Sequence, residues 1–381
     1  MVTPCRWGIV GYGWVARDHM APGIRAAGGE MAAVCDRDPA ARARAEADGT
    51  RAHADLAGLL SERPDAVYVA TPNHLHREAV EACAAAGVPV LCEKPLAATL
   101  ADAEAMVAAC ASAGVLMGTA FDQRRHPAHR ALRRELAAGR IGTVAAVRIV
   151  YACWLGRDWS AGDACNGANW RIDPRQAGGG AVIDLAPHGI DLVDALLGEP
   201  LVELAGLLQS RVHDYAVDDG GVLVGRTAGG VLAMIHNSYN TPEGLPRRRL
   251  EVVGSAGQLV ATDTMGQTAG GSLTHVDGAT GAETPVAFDA ALSPFAEQAR
   301  AFQAAVRGGP HDFDAARDLA GMRLLAGVYA AHHGRASFET RPAGAPQNDE
   351  GGSWPECEVS PRQAEERVQP ASRSPQHAPC L

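Results

Sequence analysis

The N-terminal 120 residues predict a doubly wound α/β domain, in which a parallel sheet carries helices on both faces. Short apolar strands alternate with helical segments there, which is the pattern of right-handed βαβ crossovers. A glycine-rich turn joins the first strand to the first helix, as is typical of such sheets. Because 381 residues exceed one ordinary domain, a second domain is expected to follow.

The alternation can be followed element by element. The predicted strands are Cys5–Val10, Met31–Cys35, Ala66–Ala70, Val88–Cys92 and Val115–Thr119. The predicted helices are Trp14–Ala27, Pro39–Ala47, Leu56–Ser61, His74–Ala86 and Leu100–Ala113. Asp55 and Thr99 directly precede two of these helices, and both residue types cap helix N-termini well.

The turn after the first strand has the pattern G-x-G-x-x-A, from Gly11 to Ala16. Gly11 allows the tight turn, and Gly13 lets the backbone approach a pyrophosphate. The following helix N-terminus, which starts with Trp14 and Val15, offers free N–H groups to an anion. The pattern alone is weak, but its place between a strand and a helix predicts a dinucleotide site.

Asp36 ends the second strand about 20 residues after the turn, which is the spacing expected of a ribose-binding acid. A carboxylate there accepts hydrogen bonds from the adenosine ribose and repels a 2′-phosphate. The sequence therefore predicts NAD, with NADP less expected. Arg37 weakens this preference, because a guanidinium can pair with a phosphate or stack on adenine. The alternative is a structural turn followed by a surface aspartate.

Composition excludes several classes of protein. The hydrophobic fraction of 47% and the charged fraction of 20% are those of a globular protein. A net charge of −10 argues against nucleic-acid binding. No apolar run reaches membrane-spanning length, and no signal peptide is recognised, so a cytoplasmic location is expected. The nine cysteines show no metal-ligand spacing, and no metal is predicted.

Two segments follow strands of the predicted sheet, at the edge where such sheets bind ligands. The first is Thr71-Pro72-Asn73-His74 with His76, and the second is Glu93-Lys94-Pro95. Lys94 is the only lysine among 34 basic residues, which suggests a task that arginine cannot perform. With Gly11 and Gly13, Arg124, Pro127, Gly178-Gly179-Gly180, Asp184 and His188, these segments make the chain resemble the Gfo/Idh/MocA oxidoreductases over about residues 4–340.

The resemblance implies a Rossmann domain over residues 1–121 and an α+β domain over 122–342, which carries a large, mostly antiparallel, open-faced sheet. Strand-like segments agree with it: Val144–Tyr151, Leu201–Gln209, Gly221–Thr227, Val231–Tyr239 and Arg249–Val253. Pro294–Val306 and Ala315–His332 are predicted helices. The family's open sheet face implies a homodimer or homotetramer. Residues 343–381 have the composition of a disordered tail.

Asp184, His188 and Asp191 share one face of a predicted helix, at positions i, i+4 and i+7. In the purely structural interpretation, Pro187 lies in the first turn and Asp184 is the N-cap. His188 is then solvated or satisfied, and Asp191 is at the surface. The preceding glycines and the separate cofactor domain favour a catalytic role instead.

Oxidation of a secondary alcohol by NAD needs a base for the hydroxyl proton. A histidine titrates near neutral pH, so His188 is the predicted acid/base. Lys94 is predicted to stabilise the developing alkoxide, and it competes with His188 for the role of base. Asp184 is expected to bind a substrate hydroxyl or to orient His188. By resemblance, Glu93 and Asn73 contact the cofactor ribose, and Pro95 is a cis proline; Thr71, Pro72 and His76 complete the cofactor set.

The remaining substrate candidates are Trp154, Trp170, Arg171 and Arg124, because aromatic faces and hydrogen-bonding groups recognise sugars. Core anchoring of the tryptophans is the alternative. Asp158 and Asp163, with the acidic charge, raise an amino sugar or aminoglycoside as a candidate substrate. His126 and His129 lack an acidic or cysteine partner at metal-ligand spacing.

Three functions compete. The first is an NAD-dependent dehydrogenase or reductase acting on a sugar, cyclitol or glycoside. The second is a non-catalytic NAD-binding sensor on the same scaffold. The third is elimination or hydrolysis by transient oxidation, which uses the same residues. The joint presence of Lys94, Asp184 and His188 favours an enzyme over a sensor, because a sensor needs no acid/base set.

Overall fold

A computed structural model describes residues 3–159 and 169–336. The predicted tail 343–381 lies outside the described residues, and so do Asp163, Cys165 and Asn166. The described part contains two sheets, one with six strands and one with eight. No helix within it is long and apolar enough to cross a membrane.

The six-stranded sheet is parallel throughout, with the order β3-β2-β1-β4-β5-β6. Its strands are β1 (Arg6–Val10), β2 (Glu30–Cys35), β3 (Ala52–His53), β4 (Ala66–Val69), β5 (Val90–Cys92) and β6 (Met117–Thr119). This order confirms the predicted doubly wound domain. The two-residue strand β3 was not predicted, because it is too short to show an apolar run.

Helices cover this sheet at the predicted places. A π-helical turn, Val15–Met20, continues into α1 (Ala21–Ala26), followed by α2 (Pro39–Ala47), α3 (Leu56–Ser61), α4 (His76–Ala85) and α5 (Leu100–Ala113). The side chains of Asp55 and Thr99 accept hydrogen bonds from backbone N–H groups of α3 and α5, as predicted. Gly114 ends α5 in the left-handed conformation that favours glycine.

The eight-stranded sheet has the order β14-β13-β12-β11-β7-β10-β9-β8 and one parallel pair, β7 with β10. Its strands are β7 (Val144–Ala152), β8 (Leu201–Gln209), β9 (Gly220–Thr227), β10 (Leu232–Ser238), β11 (Arg248–Gly254), β12 (Gly257–Thr262), β13 (Ser272–Asp277) and β14 (Glu283–Pro285). The mostly antiparallel sheet is confirmed. The strands β12 to β14 form an edge that was not predicted.

Helices pack on one face of this second sheet. The α-helices that follow β6 are α6 (Pro127–Ala137), α7 (Pro174–Ala177), α8 (Ala181–Leu197), α9 (Pro294–Val306) and α10 (Ala315–Ala336). Of these, α6, α8 and α10 contact the sheet. The opposite face leaves apolar side chains exposed on β8, β9 and β10. The sheet is therefore open on one side.

The start of α8 corrects the structural interpretation given above. The N-cap is Gly180 rather than Asp184, and Pro187 lies inside the helix, not in its first turn. The Asp218 carboxylate instead accepts hydrogen bonds from the N–H groups of Gly180 (2.9 Å) and Val182 (2.8 Å). Asp184 is thereby released from capping, and its side chain can serve another purpose.

The last two helices return to the first sheet. Phe295 and Phe302 of α9 belong to the same apolar core as Trp7 and Tyr12. In α10, Met322 joins the core of the parallel sheet, while residues one and two turns later join the core of the second sheet. The two sheets are consequently tied together by packing as well as by the chain between them.

Candidate active site

The glycine turn lies between β1 and the first helix and is shaped by two different requirements. Gly11 has φ +86°, and a Cβ there would lie 2.8 Å from the backbone of Ala70. A Cβ at Gly13 would meet no heavy atom within 4 Å, so the space beside this residue is open. Trp14 and Val15 follow, both half-buried. The turn therefore fits a pyrophosphate that approaches the backbone closely.

Asp36 lies beside this turn at the end of β2. Its carboxylate accepts hydrogen bonds from the N–H groups of Tyr12 (2.7 Å) and Asp38 (2.8 Å). Arg37 has a largely exposed side chain that pairs with Glu78 at 3.0 Å. The acid is thus held in place by the backbone, while the neighbouring guanidinium is directed to another carboxylate.

The segment from Thr71 to His76 is anchored by its own polar groups. Asn73 is buried and donates a hydrogen bond to the carbonyl of Ala177 (2.9 Å), and the ring nitrogens of His76 lie 2.9 and 3.0 Å from the carbonyls of Thr71 and Leu96. These two side chains, predicted as cofactor contacts, therefore have protein partners. The half-buried Pro72 and the Thr71 hydroxyl, which is buried without a hydrogen-bond partner, are the groups left beside the turn.

Lys94 and Asp184 meet across the two sheets. The Lys94 ammonium donates to the Asp184 carboxylate (2.6 Å) and to the Asp184 carbonyl (3.0 Å), and Tyr239 donates its hydroxyl to the other carboxylate oxygen (2.6 Å). Burial alone would raise the pKa of Asp184, but Lys94, Arg171 and these hydrogen bonds hold it below its usual value. Asp184 is therefore a carboxylate in an ordered polar chain.

Glu93 and the Lys94–Pro95 bond shape the base of this group. Glu93 is buried and accepts a hydrogen bond from the Tyr68 hydroxyl and another from the N–H of Lys94. Burial raises its pKa, with Lys94 opposing the shift. The peptide bond between Lys94 and Pro95 is cis, as the resemblance implied. Glu93 thus supports the loop that carries Lys94.

His188 is 2% exposed, and neither of its ring nitrogens has a hydrogen-bond partner among residues 3–159 and 169–336. Its ring lies edge-on to Phe121 and Tyr151, and its Nδ1 is 3.5 Å from the Asp122 carboxylate. Burial, and then the nearby Lys94 charge, lower the pKa of His188 well below the usual value. The imidazole is therefore neutral near pH 7, as a proton acceptor must be.

Three of the polar side chains here were not predicted as site residues: Tyr68, Asp122 and Tyr239. Asp122 is 3% exposed, and burial, followed by the charge of Glu93, raises its pKa to about 8. Its position just after β6 resembles that of Glu93 after β5, so the rule about strand ends could have identified it. Tyr68 lies inside the apolar strand β4, and Tyr239 follows β10 of the mostly antiparallel sheet, to which that rule does not apply.

The aromatic candidates form one cluster and one separate contact. The Arg171 guanidinium lies between the indoles of Trp159 (4.9 Å) and Trp170 (4.5 Å), and Trp159 contacts Trp14 of the glycine turn edge-on. Arg171 also lies close enough to lower the pKa of Asp184. By contrast, Trp154 is 41% exposed and packs against His213.

Arg124 lies in a different network. It donates to Asp191 from Nε (3.0 Å) and from a terminal nitrogen, and to Asp312 at 3.2 Å. Asp191 is buried rather than at the surface. Arg124 thus forms ion pairs that join the segment after β6 to α8 and to the segment before α10, and its contact with substrate stays a prediction.

His126 and His129 are also buried and serve the fold. The two ring nitrogens of His129 lie 2.7 Å from the Gln123 carbonyl and 2.8 Å from the Thr264 hydroxyl, and His126 caps α6. Within residues 3–159 and 169–336, no group of three or more histidines, cysteines or acids could hold a metal ion.

Comparisons with known proteins agree with this geometry. The sequence profile of the oxidoreductase family with an NAD-binding Rossmann fold, Gfo/Idh/MocA, matches residues 5–121. The profile of the GFO/IDH/MocA C-terminal domain matches residues 129–260.

Among relatives, 1,5-anhydro-D-fructose reductase of Ensifer adhaerens is 35% identical over 273 residues, which is 71% of this chain and 79% of the relative. D-xylose 1-dehydrogenase (NADP(+)) 2 of Haloferax volcanii is 32% identical over 87% of this chain and 99% of its own. An oxidoreductase domain protein from Kribbella flavida has a similar structure, with a TM-score of 0.73, 28% identity and coverage of 88% and 98%.

Proposed function

The chain belongs to the Gfo/Idh/MocA family of oxidoreductases, and we propose that it uses NAD to interconvert a secondary alcohol and a ketone on a sugar, cyclitol or glycoside. The observation that supports this best is the convergence of Lys94, Asp184 and His188 beside the end of β5. They come from two domains, and one of those domains carries the glycine turn. A sensor would need the turn but not this group.

The cofactor would be held by residues that the structure leaves available. The N–H groups after Gly13 would bind the pyrophosphate, and Asp36 would accept hydrogen bonds from the adenosine ribose. When bound, the dinucleotide supplies a hydride acceptor or donor. The direction of Arg37 toward Glu78 supports NAD over NADP, because this guanidinium is paired with a carboxylate rather than left for a 2′-phosphate. Binding titrations with the two dinucleotides test this preference.

Lys94 and His188 would then divide the work at the reacting oxygen. The Lys94 ammonium, already aligned by Asp184, would donate a hydrogen bond to that oxygen and stabilise negative charge as the O–H bond breaks. The neutral His188 would take the proton. The Lys94 ammonium already donates hydrogen bonds to the carboxylate and the carbonyl of Asp184, which favours Lys94 as a hydrogen-bond donor over Lys94 as the base.

The substrate class follows from the charges around the same oxygen. The Tyr239 hydroxyl oxygen and the Asp184 carboxylate can accept hydrogen bonds from substrate hydroxyls, and Arg171 and Trp170 lie beside them. Two cations near one carboxylate disfavour an ammonium group, so we propose a neutral polyol rather than an amino sugar. The relatives named for anhydrofructose and xylose support a sugar substrate.

A substrate panel tests the function directly. Purified protein with NAD would be mixed with sugars, cyclitols and amino sugars while reduced nicotinamide is followed by absorbance. Accumulation of NADH with a neutral polyol is the expected result. Product formation without accumulation would indicate transient oxidation, and dinucleotide binding without any product would indicate a sensor; either result overturns the proposal.

The exposed face of the second sheet supports a homo-oligomer. Its outward side chains include Val202, Leu207, Val222, Val224, Leu232 and Met234, and Leu207 is 67% exposed. A contiguous apolar patch of this kind marks an interaction surface. We propose that two or four copies pair through β8, β9 and β10, so that Leu207→Asp and Val224→Asp together yield monomers in analytical ultracentrifugation. A wild-type monomer at micromolar concentration would exclude this arrangement.

A further inference from the structure

His188 has one polar neighbour that the proposed mechanism has not used. Its Nδ1 lies 3.5 Å from Oδ1 of Asp122, and neither ring nitrogen has a hydrogen-bond partner in the described part of the chain. Burying a polar nitrogen without a partner costs free energy. Catalytic hydrogen bonds are often long before substrate binds and shorten in the complex. The contact is therefore placed to close when substrate binds.

Among the described residues, no lysine or arginine forms an ion pair with the buried Asp122 carboxylate. Its other oxygen accepts a hydrogen bond from the Gln123 amide (3.0 Å), which also donates to the Gly266 carbonyl (2.9 Å). The titratable and charged groups around it are Glu93, Lys94, Tyr68, Tyr151 and His188. Asp191, by comparison, is neutralised directly by Arg124.

This arrangement resolves a difficulty in the proposed chemistry. Burial makes His188 a weak base, so an imidazolium would be costly at neutral pH. The same burial makes Asp122 a strong base for a carboxylate, with a pKa raised to about 8. A general base works best when its pKa lies near the working pH, which Asp122 satisfies and His188 does not.

We propose that Asp122 and His188 form a proton relay, in which Asp122 stores the proton that the substrate hydroxyl loses. This rests on the proposed function. In oxidation the hydroxyl O–H bond breaks and Nε2–H forms on His188, while Nδ1–H breaks and a proton joins Oδ1 of Asp122. The hydride leaves the carbinol carbon for the dinucleotide. His188 is neutral before and after the step and changes only its tautomer, while the carboxylate becomes a neutral acid.

The relay sets opposite pH dependences for the two directions. Oxidation needs an ionised Asp122, so its kcat should rise as pH increases through about 8. Reduction needs the protonated acid, so its kcat should fall over the same interval. The apparent pKa belongs to the coupled pair, not to one residue.

The test is Asp122→Asn, because asparagine keeps the shape and still accepts a hydrogen bond from Nδ1–H, but it cannot store a proton. We expect kcat for oxidation to fall about 10²-fold, with the rise through pH 8 abolished and the dissociation constant of NAD within about twofold of wild type. The control is Asp318→Asn, which removes another buried carboxylate with a raised pKa and should keep the wild-type pH profile.

Infrared difference spectroscopy gives a readout that needs no substrate. The wild type should lose a protonated-carboxyl band as pH rises through about 8, and the Asp122→Asn variant should lack that band while the Asp318→Asn variant retains it. A wild-type pH profile in Asp122→Asn, or an infrared titration identical in both proteins, would overturn the relay but leave the oxidoreductase function standing. If no substrate is oxidised, the infrared titration still decides the ionisation of Asp122 separately.

Discussion

The two halves of the candidate site are both buried and polar, but they differ in how their groups are satisfied. Lys94, Asp184 and Tyr239 form a closed chain of short hydrogen bonds. The Asp122 carboxylate and the His188 imidazole are 3.5 Å apart. Among the described residues, no lysine or arginine pairs with this carboxylate, and the imidazole nitrogens have no hydrogen-bond partner. The first half is organised before substrate arrives, while the second carries unsatisfied groups that only the reaction can use. Such division is expected where one part positions charge and another moves a proton.

Of the substitutions in the two halves of the site, Lys94→Ala should reduce kcat the most. It removes the donor to the reacting oxygen and leaves Asp184 buried without its cation, so kcat should fall about 10³- to 10⁴-fold. Steady-state kinetics and a separate NAD binding titration measure the effect. The control is Lys94→Arg, which keeps the charge but not the point geometry and should remain strongly impaired. Full activity in Lys94→Arg would contradict a specific role for the ammonium.

His188→Ala should cost less, about 10²- to 10³-fold in kcat, because Lys94 still stabilises the oxygen while proton transfer to the relay is lost. Cofactor affinity should be unchanged, since no contact in the glycine turn is altered. Free imidazole added to this variant should occupy the space left by the His188 ring and restore part of the rate. A variant that keeps near-wild-type kcat would remove His188 from the mechanism.

Acid unfolding tests the buried histidines that stabilise the fold and lie outside the candidate active site. Burial lowers the pKa of His126 to about 4 and that of His129 to about 3. Below pH 6.5 these two histidines are therefore protonated in the unfolded chain but remain neutral in the folded chain. The free energy of unfolding falls with decreasing pH by about 1.4 kcal/mol per pH unit for each histidine. His129→Gln should reduce that slope in urea unfolding between pH 6.5 and 5. An unchanged slope would show that His129 is not buried neutral.

Tyr239→Phe should produce the smallest change. The substitution removes one hydrogen bond to Asp184 but leaves the ion pair with Lys94, so kcat/KM should fall about tenfold, equivalent to about 1.4 kcal/mol. Tyr215→Phe is a suitable control, because its hydroxyl contacts only the Leu155 carbonyl at 3.4 Å among the described residues. Equal losses in both variants would indicate a general packing effect.

The sequence predicts the fold and the groups that stand in local motifs. Lys94 and Asp36 follow strands, and Asp184 and His188 share a helical spacing, so their places are encoded within short segments. The roles of Asn73, His76 and Arg124 could not be inferred in this way. The partners of Asn73 and Arg124 lie far along the chain, and those of His76 are nearby backbone carbonyls, so only the folded structure shows these contacts.

The residues and strands that the sequence analysis did not identify also depend on packing between distant parts of the chain. Tyr239 directly follows β10 and meets Asp184 only because α8 packs on that strand. Asp122 lies 3.5 Å from His188, whose ring packs against Phe121 and Tyr151, and only the folded chain brings these groups together. Strands β12 to β14 are short and glycine-rich at their ends, so their pairing depends on β11.

The return of α9 and α10 to the first sheet has a consequence for synthesis. Trp7 and Tyr12 emerge from the ribosome early, yet Phe295 and Phe302, which cover the same core, lie near the C-terminal end of the described residues and are made late. Until α9 is synthesised, the nascent N-terminal half therefore exposes apolar surface, which favours aggregation or chaperone binding. A shortened gene product ending before Pro294 should be recovered in inclusion bodies, even though it contains every residue of the glycine turn.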